Sequence, residues 1–118
     1  MSNQDMQQIK DISVNMEKIR EAAKRIADRL HPDRIILFGS FATGTPGPDS
    51  DADILVVMEH SGTRREKTME IRELISTINM PKDVFVNTPE ELEKYRDIPG
   101  TISSIACRTG ITLYDKQA

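Results

Sequence analysis

Two short apolar runs, one closed by Gly-Ser and the other opened by a pair of aspartates, constrain this chain more than any other feature. Residues 35–40 read Ile-Ile-Leu-Phe-Gly-Ser, ten residues follow, and residues 51–58 read Asp-Ala-Asp-Ile-Leu-Val-Val-Met. Apolar runs this short, rich in Ile and Val and punctuated by Gly and Pro, are predicted to be buried strands. Side chains at i and i+2 of a strand point to the same side. Asp51 and Asp53 are therefore expected to project together, beside the Gly39-Ser40 that closes the first run. Like charges held side by side repel, and such a pair calls for a cation.

The flanking sequence supplies the remaining layers. Met16, Ile19, Ala23, Ile26, Ala27 and Leu30 recur at helical spacing and predict a helix over 16–30, opened by Ser13 or Asn15 and stopped by Pro32. Residues 1–12 are polar and are expected to form a flexible N-terminus, frayed or loosely helical, leaving 13–118 as the folded domain. Strands are predicted over 33–38, 52–58 and 82–87, with an edge strand over 111–114. Residues 39–44 read as a tight turn into a short helix, where Gly39 allows close backbone approach and Ser40 caps the helix start. The two prolines and two glycines of 44–48 make a rigid loop. A second long helix spans 63–78, and Thr88-Pro-Glu-Glu opens another that ends before Pro99. A last helix over 101–109 is closed by Gly110. Alternating helices and strands imply an α/β fold, a mixed sheet of about four strands flanked by helices in a single domain.

Composition narrows the function. The 118 residues suit one domain. A net charge of −3 and a pI near 5.4 argue against direct nucleic-acid binding, which needs a basic surface. The single cysteine, Cys107, excludes an internal disulfide and a cysteine-based zinc cluster, and reads as a small buried hydrophobe. No basic-then-apolar leader is present and the longest apolar stretch, 54–58, is far too short for a membrane span. A soluble, cytoplasmic protein without membrane contact is the expectation.

Competing motifs fail on single residues. Asp49-x-Asp51-x-Asp53 imitates the opening of an EF-hand loop, but Ile54 stands where Gly is required and His60 where Glu is required. Gly39 and Gly44 have the spacing of a P-loop, but Thr45 replaces its lysine. His31 and His60 have no partner nearby in sequence and read as surface histidines.

Gly39-Ser40, ten residues, then Asp51-x-Asp53 on an apolar strand resembles the signature of the polymerase-β-type nucleotidyltransferase superfamily. The chain is similar in size and element order to the minimal nucleotidyltransferases, often the antitoxin half of a two-gene module whose toxin is a helical RNase of the HEPN class. The resemblance covers roughly residues 16–115.

This resemblance implies a function. AMP would move from ATP to a hydroxyl with two magnesium ions as cofactors, the acceptor being a tyrosine of the HEPN toxin, which is thereby silenced. Asp51 and Asp53 would bind metal and act in catalysis. Asp83, in Lys-Asp-Val-Phe-Val, would be the third carboxylate, binding the second metal and deprotonating the hydroxyl. Gly39 and Ser40 would hold the β- and γ-phosphates, with Arg64 or Arg65 as candidates to assist. Many relatives carry a basic residue where this chain has Thr43. Two alternatives stand beside this reading: an antitoxin that neutralises by binding alone, and an adenylyltransferase of small molecules such as aminoglycosides, for which the chain lacks the additional helical region.

Overall fold

A computed structural model describes residues 3–118. Helix α1 (Asn3–Leu30) leads into strand β1 (Arg34–Phe38), short helix α2 (Ser40–Thr43), β2 (Ala52–Val57), α3 (Arg64–Leu74), β3 (Lys82–Asn87), α4 (Pro89–Tyr95), α5 (Ile102–Thr109) and β4 (Ile111–Asp115). The four strands form one mixed sheet in the order β3-β2-β1-β4. β1 pairs antiparallel with β2 and β4, and β2 pairs parallel with β3. A parallel pair needs a crossover, and α3 provides it.

Strand alternation sorts the core onto two faces. On one face Ile35, Leu37, Ile54, Val56, Val84 and Val86 pack against Ile19 and Ile26 of α1 and Ile71 of α3. On the other, Ile36, Phe38, Leu55 and Val57 pack against Leu92 of α4 and Ala106 of α5. Covering both faces explains why the strands read as nearly continuous apolar runs.

Three boundaries differ from the sequence reading. Helix α1 begins at Asn3, not near residue 13, and Ser13 and Asn15 lie within it rather than capping it. No Gly or Pro interrupts 3–30, and Gln and Lys are good helix formers, so polarity alone does not end the helix. Gln7 also donates to Asp11 one turn on, at 2.9 Å. Residues 1 and 2 of the expected flexible segment lie outside the described residues. At its other end α1 stops at His31, whose φ of 48° is left-handed and whose N–H donates to the Ala27 carbonyl.

Helix α3 ends at Leu74, four residues early. The Ser76 hydroxyl donates to the Glu73 carbonyl at 2.9 Å and competes with the helical ladder. Ile75 and Ile78 still reach the core from turns. At α2, Gly39 occupies the cap position and Ser40 is the first helical residue, so the expected Ser40 cap does not form. Among the described residues no helix is long and apolar enough to cross a membrane.

Candidate active site

The register of the sheet lays three residues side by side. Phe38 at the end of β1 faces Asp53 of β2, and Asp53 faces Asp83 of β3. Residues directly opposite in a sheet share a face, so both carboxylates emerge on the face covered further along by α4 and α5. The next row on that face, Ile36, Leu55 and Phe85, is apolar. The Phe38 and Phe85 rings lie 5.4 Å apart at 55°, forming an aromatic edge to the carboxylate row. Asp51 precedes β2 by one residue and is exposed, whereas Asp53 and Asp83 are half-buried.

Electrostatics follow from that placement. Burial pushes the Asp53 carboxyl above its ordinary value, and the neighbouring charges of Asp83 and then Asp51 push it further. Asp83 has a counterion: the Arg72 guanidinium donates to its Oδ1 at 3.4 Å. Among the described residues no three His, Cys, Asp or Glu side chains are gathered closely enough to enclose an ion by themselves.

Gly39 touches this row. Its φ of 80° is left-handed, and a Cβ there would stand 2.5 Å from Asp53 Oδ2. Only glycine combines that backbone with that proximity. The chain then turns into α2, where the N–H groups of Ala42 and Thr43 both donate to the Gly39 carbonyl. Ser40 is therefore carried on the turn immediately beyond the aspartates. The Thr43 hydroxyl lies within hydrogen-bonding distance of the Gly39 and Ser40 carbonyls and of Thr45 Oγ1. A groove of about 680 Å³ lies between α1 and the loop at 46–48, lined by Lys10, Val14, Phe41 and Pro46 among others, and includes none of the three aspartates.

The structure thus brings Asp53, Asp83 and Gly39 together, with Asp51 and Ser40 one step outside. Arg64 is elsewhere. It pairs with Glu91 of α4 and lines a smaller cavity with Asn87, at the opposite end of β3 from Asp83. The sequence reading missed Arg72 and the Phe38–Phe85 edge. Nothing in the spacing of Arg72 marks it out among the many charges of α3, whereas the two phenylalanines follow from the strand register once that is known.

A mixed sheet of this order with helices on both faces defines a single α/β domain of the nucleotidyltransferase kind. It superposes on a crystal structure of a candidate nucleotidyltransferase from Sulfolobus solfataricus with a TM-score of 0.61 at 18% identity, over 92% of this chain and 87% of that one. It also superposes on a toxin-antitoxin structure with AMP-PNP, at TM-score 0.52 and 24% identity, over 86% of this chain and 73% of that one. A candidate protein adenylyltransferase of Methanocaldococcus jannaschii is 34% identical over 74 residues, 61% of this chain and 74% of that protein. The nucleotidyltransferase domain family matches residues 16–108, and the chain belongs to that family. It is a nucleotidyltransferase.

Proposed function

We propose that residues 13–118 transfer AMP from ATP to a hydroxyl of a partner protein, a tyrosine of a HEPN-type RNase toxin, and so serve as its antitoxin in the cytoplasm. The observation that carries the site is the lateral row Phe38–Asp53–Asp83 with Gly39 against Asp53. The similarity to a candidate protein adenylyltransferase supports a protein acceptor.

Three hard carboxylate oxygen donors suit magnesium, which needs only one or two protein carboxylates when phosphates and water complete its shell. The Asp53 carboxyl is raised first by burial and then by the charges of Asp83 and Asp51, and a divalent ion would offset both by favouring the ionised form. Asp51 and Asp53 would hold one ion and Asp83 with Asp53 a second. Bound there, the ions would supply charge neutralisation at the phosphates and a lowered hydroxyl pKa.

Asp83 would take the proton of the acceptor hydroxyl. The hydroxyl oxygen then attacks the α-phosphorus, its O–P bond forms, and the bond to pyrophosphate breaks with the electron pair leaving on pyrophosphate. The backbone at Gly39 and Ser40 would align the β- and γ-phosphates. The Phe38–Phe85 pair would give the row an apolar border on one side.

A second reading has one observation in its favour. Thr43 brings no cation to α2, and its hydroxyl is directed to local oxygens. An antitoxin acting by binding alone would tolerate that. Intact mass of the protein encoded beside this one, after incubation with this chain, ATP and magnesium, separates the two. A gain of one or more AMP units, lost in Asp51→Asn/Asp53→Asn, is expected. A stable complex without any mass gain would overturn the transfer reading in favour of binding, and neither complex nor gain would point to a small-molecule acceptor.

A further inference from the structure

The site has one feature that the transfer reading does not use: the guanidinium on Asp83. Helix α3 packs its Ile71 against the first face of the sheet, while Asp83 emerges on the other. β3 is the end strand of the sheet, so Arg72 reaches Asp83 around its free edge. Among the described residues Arg72 is the one Lys or Arg in ion-pair contact with any of the three aspartates. Lys82 adjoins Asp83 in sequence, but its ammonium turns away to the carbonyls of Ile78 and Met80.

We propose that Arg72 is a positioning residue that exchanges partners: it holds Asp83 before metal binds, and moves to the triphosphate once a divalent ion takes that carboxylate. The inference rests on the aspartate reading above. The pair is suited to exchange, because it is a single contact of 3.4 Å between side chains that are 51% and 45% exposed. Such surface pairs are weak. With a divalent ion held by Asp83, the Arg72 guanidinium would face two added positive charges and would leave the carboxylate. A bound triphosphate carries more negative charge than a single carboxylate, and the planar guanidinium fork matches its oxygens. Two other candidate positions supply no cation there: position 43 is threonine, and Arg64 is held by Glu91 at the far end of β3.

The test measures binding, not turnover. Free Mn2+ is followed by electron paramagnetic resonance in titrations of the full chain, of Arg72→Gln, of Asp83→Asn and of the double variant. Binding of a non-hydrolysable ATP analogue in magnesium is measured by calorimetry. Without nucleotide, Arg72→Gln is expected to bind Mn2+ about two- to five-fold more tightly, the scale of a surface ion pair. That gain is expected to vanish in the Asp83→Asn background. The same variant is expected to bind the ATP analogue roughly ten-fold more weakly, from loss of a charge-assisted contact, with Arg72→Lys between the two.

Equal tightening with and without Asp83 would overturn the contact, leaving only a general field. Unchanged analogue affinity in Arg72→Gln would overturn the exchange. Mn2+ binding that survives Asp51→Asn/Asp53→Asn undiminished would instead overturn the aspartate reading on which the inference stands.

Discussion

Gly39 and Asp53 are fitted to each other: the glycine backbone leaves room for the Asp53 carboxylate where any side chain would stand 2.5 Å from Oδ2. Alanine at position 39 meets both that oxygen and a left-handed φ of 80°. Gly39→Ala is expected to cost roughly 1–3 kcal/mol of stability, read as a lower Tm. It is also expected to remove most transfer activity by displacing Asp53. Full activity in a folded Gly39→Ala variant would show that the close approach is incidental.

Asp53 makes stability depend on pH in a particular direction. Its carboxyl is raised in the folded chain, chiefly by burial and then by Asp83 and Asp51. The folded state therefore holds this proton more firmly than the unfolded chain, and Asp53 subtracts stability as pH rises from the ordinary carboxylate value through the raised one. Asp53→Asn is expected to melt higher than the parent at neutral pH, by on the order of 0.5 kcal/mol after allowance for solvent screening of a half-exposed group. Acidification should close the gap. Adding magnesium at neutral pH should stabilise the parent and leave the variant unmoved. Melting curves across pH, with and without magnesium, check all three.

The start of α4 is held by a reciprocal pair. Thr88 Oγ1 accepts from the Glu91 N–H at 3.1 Å, and the Glu91 carboxylate accepts from the Thr88 N–H at 2.8 Å. Thr88→Ala is expected to cost about 1 kcal/mol. The Thr88 N–H is the main cause, and Arg64 a further one, of a Glu91 carboxyl held below its ordinary value. A depressed carboxyl adds stability above its unfolded pKa and loses it as pH falls through the folded one. Glu91→Gln should thus be less stable than the parent at neutral pH and approach it in acid, by chemical denaturation at each pH.

Gly110 tests packing rather than chemistry. It lies between α5 and β4, where an added Cβ would overlap the Ala106 carbonyl and come 2.5 Å from the Ile36 methyl. Gly110→Ala is expected to destabilise by about 1–3 kcal/mol, as for other overpacked sites, while Gly44→Ala, which meets nothing within 4 Å, pays only for its left-handed φ of 79°. A comparison of the two melting temperatures decides it.

The strands were legible because apolar runs bounded by turn residues leave few alternatives, and the Asp-x-Asp spacing survives translation into any strand. What escaped the sequence reading depends on three-dimensional neighbours. The extent of α1 was hidden because Gln, Asn and Asp dominate its first turns, although Met6, Ile9 and Ile12 keep the helical spacing and nothing there breaks a helix. The end of α3 was overrun because Ile75 and Ile78 keep the helical period while belonging to turns that bury them anyway. Arg72 could not be singled out, since its partner lies around a strand edge that only the parallel pairing of β2 and β3 defines.

That parallel pairing also fixes when the carboxylate row can exist during the life of a chain. β1 and β2 are neighbours in sequence and can pair as soon as both leave the ribosome, bringing Phe38 opposite Asp53. Asp83 arrives later, after α3 has been made and has crossed over the sheet, and parallel pairing across such a connection forms more slowly than a local antiparallel one. A nascent chain ending before β3 displays the Gly39-Ser40 and Asp51-x-Asp53 signature in full, yet has nothing to set beside Asp53. The complete row is a property of the finished molecule.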